Sequence, residues 1–115
     1  MNNSRRKKIA SVIKSLRSIT EYNLIGLIQN EIEDILWDEE DAYNNTPESL
    51  QYSMRGEESM EAIDNLQDAI DALEEAINIF DEIDNVDDEN EDEELNKDNI
   101  NELINQAIDS LEQII

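Results

Sequence analysis

An all-α fold is what this sequence predicts, and three observations predict it. Glycine and proline are nearly absent, with two and one in 115 residues. Sheet-rich folds need many tight turns, and those turns need both residues. Ile, Leu, Ala, Glu, Asp and Asn dominate the composition. Apolar residues recur at steps of three and four, the period of a helix face. The expected architecture is an antiparallel helical hairpin plus a short C-terminal helix, assembled as a dimeric helical bundle. Residues 1–84 would form the hairpin domain, 85–97 an acidic linker, and 98–115 a helix docked on the hairpin or on a partner chain.

The elements follow in order. A first helix is expected over residues 4–41. Ile9, Val12, Ile13, Leu16 and Ile19 share one face, and Ile25, Ile28, Ile32, Ile35 and Leu36 resume it. Thr20, Tyr22, Asn23 and Gly26 are weak helix formers, so a kink or break falls between Thr20 and Gly26. A connector runs from about 43 to 55. In it Thr46-Pro47-Glu48 reads as an N-cap followed by proline in the first helical position. Gly56 then permits a change of direction. The clearest helix spans about 57–84. Ile63, Leu66, Ile70, Leu73, Ile77 and Phe80 form an a/d seam there. Beside it Ala69, Ala72, Ala76, Ile79 and Ile83 form a second stripe, whose small alanines let a neighbouring helix approach. From Asp81 to Glu94, ten of fourteen residues are acidic and none is basic. Such a block repels itself and reads as a solvated linker. A last helix covers about 99–115, with Asn99 and Glu102 resembling a capping box. Its stripe is Ile100, Leu103, Ile104, Ala107, Ile108, Leu111 and Ile114. A helix this short is marginal alone and must dock.

Charge is segregated. Arg5, Arg6, Lys7, Lys8, Lys14 and Arg17 give the first 17 residues +6, and no acid precedes Glu21. The other 98 residues hold two bases and 31 acids, for −29. An acidic body of this kind repels nucleic acid and anionic membrane and attracts basic protein surfaces. Cysteine and histidine are both absent. That removes disulfides, thiolate and imidazole catalysis, and Cys- or His-ligated metal. No cofactor and no metal site is expected, and the chain does not read as an enzyme. Lys14 and Arg17 interrupt the N-terminal apolar stretch before it reaches signal-peptide length. No apolar run is long enough to span a bilayer. A cytoplasmic location is expected.

Several groups are candidates for function. Paired carboxylates are everywhere, so no pair stands out as an acid–base site, and most lie on polar helix faces. The run from Asp84 is a poor calcium loop. Counting from Asn85, Asn90 replaces the glycine and Asn96 the final glutamate of an EF-hand. The cluster Arg5-Arg6-Lys7-Lys8 opens a helix whose N-terminus already carries partial positive charge. Either the cluster is simply an exposed basic end, or something anionic lies near it, namely an acidic face of this chain or a copy, or an external phosphate. Arg55, nearly alone among acids, either caps carbonyls or pairs with Glu48 or Glu58, or else holds a ligand carboxylate or phosphate. Trp37, Tyr43 and Tyr52 gather at one end of the hairpin. Helix-end aromatics close cores, and they also anchor binding surfaces.

Two stretches carry a resemblance. Ser4-Arg5-Arg6-Lys7-Lys8-Ile9 is one. The other is Glu39-Glu40-Asp41-Ala42-Tyr43-Asn44-Asn45-Thr46-Pro47-Glu48-Ser49-Leu50-Gln51-Tyr52-Ser53-Met54-Arg55-Gly56-Glu57. Together they resemble a family of small acidic helical proteins of bacteriophages and prophages, over roughly residues 4–84. The resemblance implies a viral protein acting inside a bacterial cell. It supplies no catalytic residues, and it draws attention to Arg5, Arg6, Lys7, Asn45, Pro47, Glu48, Gln51, Ser53 and Arg55.

Two functions are consistent with these features. In the first, the chain is an acidic nucleic-acid mimic and inhibitor. Glu61, Asp64, Asp68, Asp71, Glu75, Asp84, Asp87 and Asp88 would occupy a basic surface of a host nucleic-acid-binding protein, such as a defence nuclease. Acids at three- and four-residue steps recur every ~5 Å along a helix, the scale of a duplex's phosphate rows. No direct contact with nucleic acid is expected. In the second, an oligomer binds a small anionic nucleotide-type ligand through Arg5, Arg6, Lys7, Gln51, Ser53 and Arg55.

Overall fold

Residues 2–84 and 93–115 are described in the computed structural model, with side chains at all of these but 54–55, 83–84 and 93–96. Among them every regular element is helical. The first, α1 (Asn3–Arg17), begins at Asn2, whose side-chain oxygen accepts the Arg5 N–H at 2.8 Å. That bond satisfies one of the donors a helix start leaves unpaired. The helix stops at Ser18, whose hydroxyl donates to the Lys14 carbonyl at 2.9 Å. A serine bonded back in this way competes with helix continuation, and the β-branched Ile19 and Thr20 follow it.

A 3-10 turn at Tyr22–Leu24 leads into α2 (Ile25–Asn44). The single helix expected over 4–41 is therefore two helices, with the break at residues 18–21. The chain reverses there, since Arg5 reaches Glu39 and Lys8 reaches Asp38. The reason is burial. Ile9, Val12, Ile13 and Leu16 on α1 and Ile25, Ile28, Ile32 and Ile35 on α2 are all buried. Two apolar faces on consecutive segments cover each other only when the chain doubles back.

The connector holds one short helix, α3 (Glu48–Gln51). Thr46 does not cap it as expected. Its hydroxyl donates to the Ala42 carbonyl at 2.8 Å, at the end of α2 where carbonyls lack helical partners. Pro47 takes the cap position.

The long helix α4 (Met54–Asp84) starts earlier than the expected Glu57. Gly56 lies inside its first turn and makes no change of direction. A Cβ on Gly56 would stand 1.9 Å from the Gln51 carbonyl oxygen. Glycine here lets the connector backbone lie against the helix.

The last helix, α5 (Glu93–Glu112), starts before residue 98, so Asn99 and Glu102 lie within it and form no capping box. Glu93 and Glu94 open its first turn, where acidic residues complement the helix dipole. Residues 85–92 of the anticipated linker lie outside the described residues.

Each long helix packs on two others in a ring: α1 on α2, α2 on α4, α4 on α5, and α5 on α1. The bundle measures 58 × 21 × 18 Å. Its core runs along the axis through Ile9, Leu16, Ile32, Leu66, Leu73, Ile100 and Leu111. Ala69, Ala76 and Ala107 are fully buried, where small side chains bring helices close. No described helix is long and apolar enough to cross a membrane.

Candidate functional site

Burial of the α4 seam fixes which of its faces meets water. With Leu66, Ala69, Leu73 and Ala76 inward, Glu61, Asp64, Asp68, Asp71 and Glu75 all point outward and are exposed. They form one row at helical period, about 21 Å long at 1.5 Å per residue. Contacts with α2 and α5 hold both flanks of the helix that carries it. None of the five forms an ion pair with a described cation. Within the row Asp71 accepts a hydrogen bond from Gln67 at 3.0 Å. Of the other anticipated partner-binding acids, the Asp84 side chain and all of Asp87 and Asp88 lie outside the described residues. No group of three or more described carboxylates is placed to hold a metal ion.

A second feature is a charge inside the bundle. Glu39 is 1% exposed. It accepts a hydrogen bond from the Ser59 hydroxyl at 2.5 Å and another from Arg5 Nε at 2.8 Å. Burial alone would push its carboxyl upward. The Ser59 bond and the positive charges beside it, Arg5 among them, outweigh burial and hold it below the ordinary glutamate value. Arg5, Glu39 and Ser59 come from α1, α2 and α4, so this cluster pins three helices together. The anion that the basic N-terminus calls for is thus internal. Lys8 also faces Asp38, at 4.0 Å, and Arg17 pairs with Glu112 of α5.

The connector residues bond to backbone. Gln51 Nε2 donates to the carbonyls of Tyr43 at 3.0 Å and Thr46 at 3.1 Å, closing the loop between α2 and α3. The Ser53 hydroxyl donates to the Leu50 carbonyl and accepts the Gly56 N–H at 3.4 Å, which caps the start of α4. The Arg55 side chain lies outside the described residues.

A cavity of about 340 Å³ opens under the connector, lined among others by Arg5, Glu39, Tyr43, Ser53 and Ser59. The structure therefore brings Arg5 and Ser53 of the alternative ligand set together. It places Arg6 elsewhere, in a cavity of about 240 Å³ beside Glu58, Glu61 and Gln113. Lys7 is exposed and lines neither. Arg5 already meets a carboxylate, so the cavity under the connector offers an anion no unshared charge from it.

Sequence reasoning missed Glu39 and Ser59, although a signal was present. Glu39 occupies the next position of the stripe Ile28, Ile32, Ile35. Ser59 precedes Ala62 and Leu66 in the same way, and Arg5 precedes Ile9 and Val12. Three polar residues each continue an apolar stripe, and the fold pairs them. Comparison with known protein families, with curated proteins and with solved structures finds no match for this chain.

Proposed function

We propose that this protein works by binding, presenting the acidic face of α4 to a basic surface of a host nucleic-acid-binding protein inside a bacterial cell. One observation supports this reading above others. Five carboxylates stand exposed, and without an ion pair among the described residues, along one face of a helix held on both flanks. A preformed row loses little freedom on docking, so its charge acts with a small ordering cost. Opposite potentials also steer the encounter and raise its rate. The bases of α1 favour this reading over an anion sponge, since Arg5, Lys8 and Arg17 each face a carboxylate of the same chain.

The test compares the protein with a variant neutralised at the row (Glu61→Gln, Asp64→Asn, Asp68→Asn, Asp71→Asn, Glu75→Gln). Both are tagged, recovered from bacterial cells and analysed by native mass spectrometry. The expected result is a basic protein that co-purifies with the wild type, leaves in high salt or with added duplex DNA, and is lost from the variant. Retention by the variant, or binding indifferent to both salt and DNA, would overturn the reading. A stoichiometric small anion in place of a protein would do so too.

A further inference from the structure

Large apolar side chains stand exposed on α2, on α4 and in the connector. Trp37 is 62% exposed and Met60 48%, and in the connector Tyr52 is 79% exposed. The register of α2 on α4 brings the first two to the same level. Ser59 bonds Glu39, and Gln29 donates to the Ile70 carbonyl at 3.2 Å, so the two helices run antiparallel with fixed alignment. Trp37 lies on the water-facing side of α2, away from the buried stripe of Ile28, Ile32 and Ile35. Met60 lies one turn before Ile63 and one turn after Gly56, on the edge of α4 that meets α2 and the connector. Gly56 admits the connector backbone against that edge, which carries Tyr52 to the same end.

The surroundings of Trp37 say what would cover it. Its helix neighbours at three and four residues, in both directions, are Glu33, Asp34, Glu40 and Asp41. Those of Met60 include Glu57 and Asp64, and Asp64 belongs to the acidic row. An indole framed by four carboxylates is a place for a cation with an apolar stem. The flat guanidinium of arginine, or the ammonium of lysine, stacks on an aromatic face while its methylenes cover apolar surface. Exposed tryptophans in a charged ring are also favoured energetic centres of interfaces. A second copy of this chain fits poorly, because its net charge is −23 and Arg5, Lys8 and Arg17 already face carboxylates.

We infer that Trp37 and Met60 form the anchor of the docking surface, seating an arginine- or lysine-bearing segment of a partner protein whose further bases run along the α4 row. This rests on the reading of α4 as a protein-binding face. Trp37 is the one tryptophan in the chain, so its emission reports on the patch directly. The probe is an amphipathic helical peptide with arginines on one face and leucines on the other. It is titrated into the full-length protein at about 0.15 M salt, where long-range attraction is largely screened. Tryptophan emission reports occupancy, and anisotropy of labelled peptide gives affinity.

The expected result is a saturable blue shift and an affinity that falls about ten-fold or more in Trp37→Ala. Trp37→Phe, which keeps an aromatic ring, should retain most of the binding. Circular dichroism of Trp37→Ala should match the wild type, since the side chain is exposed. Unchanged affinity in Trp37→Ala overturns the anchor, and so does binding without a change in emission. If the neutralised row abolishes binding while Trp37→Ala does not, the anchor fails and the acidic-face reading stands. If Trp37→Ala weakens binding and the neutralised row does not, the anchor stands and the row reading fails. An emission shift with protein concentration alone, together with a dimer in sedimentation that Trp37→Ala removes, would give the patch to a second copy and overturn the proposal.

Discussion

Glu39 and Tyr22 stand at opposite ends of the bundle and close it by different chemistry. At the connector end a buried carboxylate is bonded by Ser59 and Arg5, and Gln51 ties two loop carbonyls. Gly56 lets α3 press on α4 there. At the other end the Tyr22 ring meets Phe80 edge-on, with centroids 6.2 Å apart and planes at 75°, and its hydroxyl donates to Asn101 at 3.0 Å. The second glycine of the chain, Gly26, belongs to this end, and a Cβ there would meet nothing within 4 Å. The comparison teaches that the polar end has little tolerance. The buried carboxylate there needs its partners, and the backbone at Gly56 has no room for a side chain. The aromatic end is packed by side chains that can adjust.

The sharpest way to break the comparison is to place the same methyl group at both ends. Gly56→Ala forces the new Cβ onto the Gln51 carbonyl, and we expect a loss of at least ~3 kcal/mol in chemical denaturation. Survival of Gly56→Ala at wild-type stability would show that the connector packs more loosely than its geometry demands.

Removing the charge at the polar end comes next. Glu39→Gln should cost about 2 kcal/mol at pH 7, since charge-assisted bonds to a buried group are lost. Its pH dependence has a definite sign. The folded-state pKa of Glu39 lies below its ordinary value of 4.5. Its contribution is therefore fully present above that value and fades as pH falls through the folded one. The stability gap between wild type and Glu39→Gln should shrink on acidification below 4.5. Protonation of the many surface acids affects both proteins alike, so the gap isolates Glu39. A gap constant with pH would mean that the carboxylate charge plays no part.

The smallest effect should come from Gly26→Ala. The position is helical and unobstructed, so alanine should stabilise by about 0.5–1 kcal/mol through a less flexible unfolded chain. A loss on thermal unfolding would show a constraint at the turn that the structure does not contain.

The helix faces were largely legible in the sequence, and the contacts that close the two ends were not. Ile100, Leu103, Ile104, Ala107, Ile108 and Leu111 are all buried as their spacing predicts. Ile9, Val12, Ile13 and Leu16 are buried too, because hydrophobic period reports directly which face turns inward. The same period cannot report a reversal. Thr20 to Gly26 marks weak helix, yet only burial of two faces against each other decides between a kink and a turn. Glu39 was hidden for another reason. It sits within Asp38-Glu39-Glu40-Asp41, where composition says surface, and only its place on the Ile28–Ile35 stripe says core. Gly56 misled because a glycine beside a loop suggests a change of direction, whereas what it provides is close approach. For Trp37 and Tyr52 the sequence allows a core-closing or an anchoring role, and their exposure removes the first.

The ring order of the helices has a kinetic consequence. Contacts of α1 with α2, α2 with α4 and α4 with α5 join neighbours along the chain, whereas α5 with α1 joins its two ends. Interfaces between neighbours close short loops at little entropic expense, and the fourth must close nearly the whole polypeptide. Arg17 and Glu112 lie across that last seam, a cation from the basic helix and an anion from the acidic remainder. Segregated charge thus acts at the one junction where diffusion has the furthest to bring the partners. The same attraction acts between α1 and α2 through Arg5–Glu39 and Lys8–Asp38, so added salt should slow both the first hairpin and the closure of the ring.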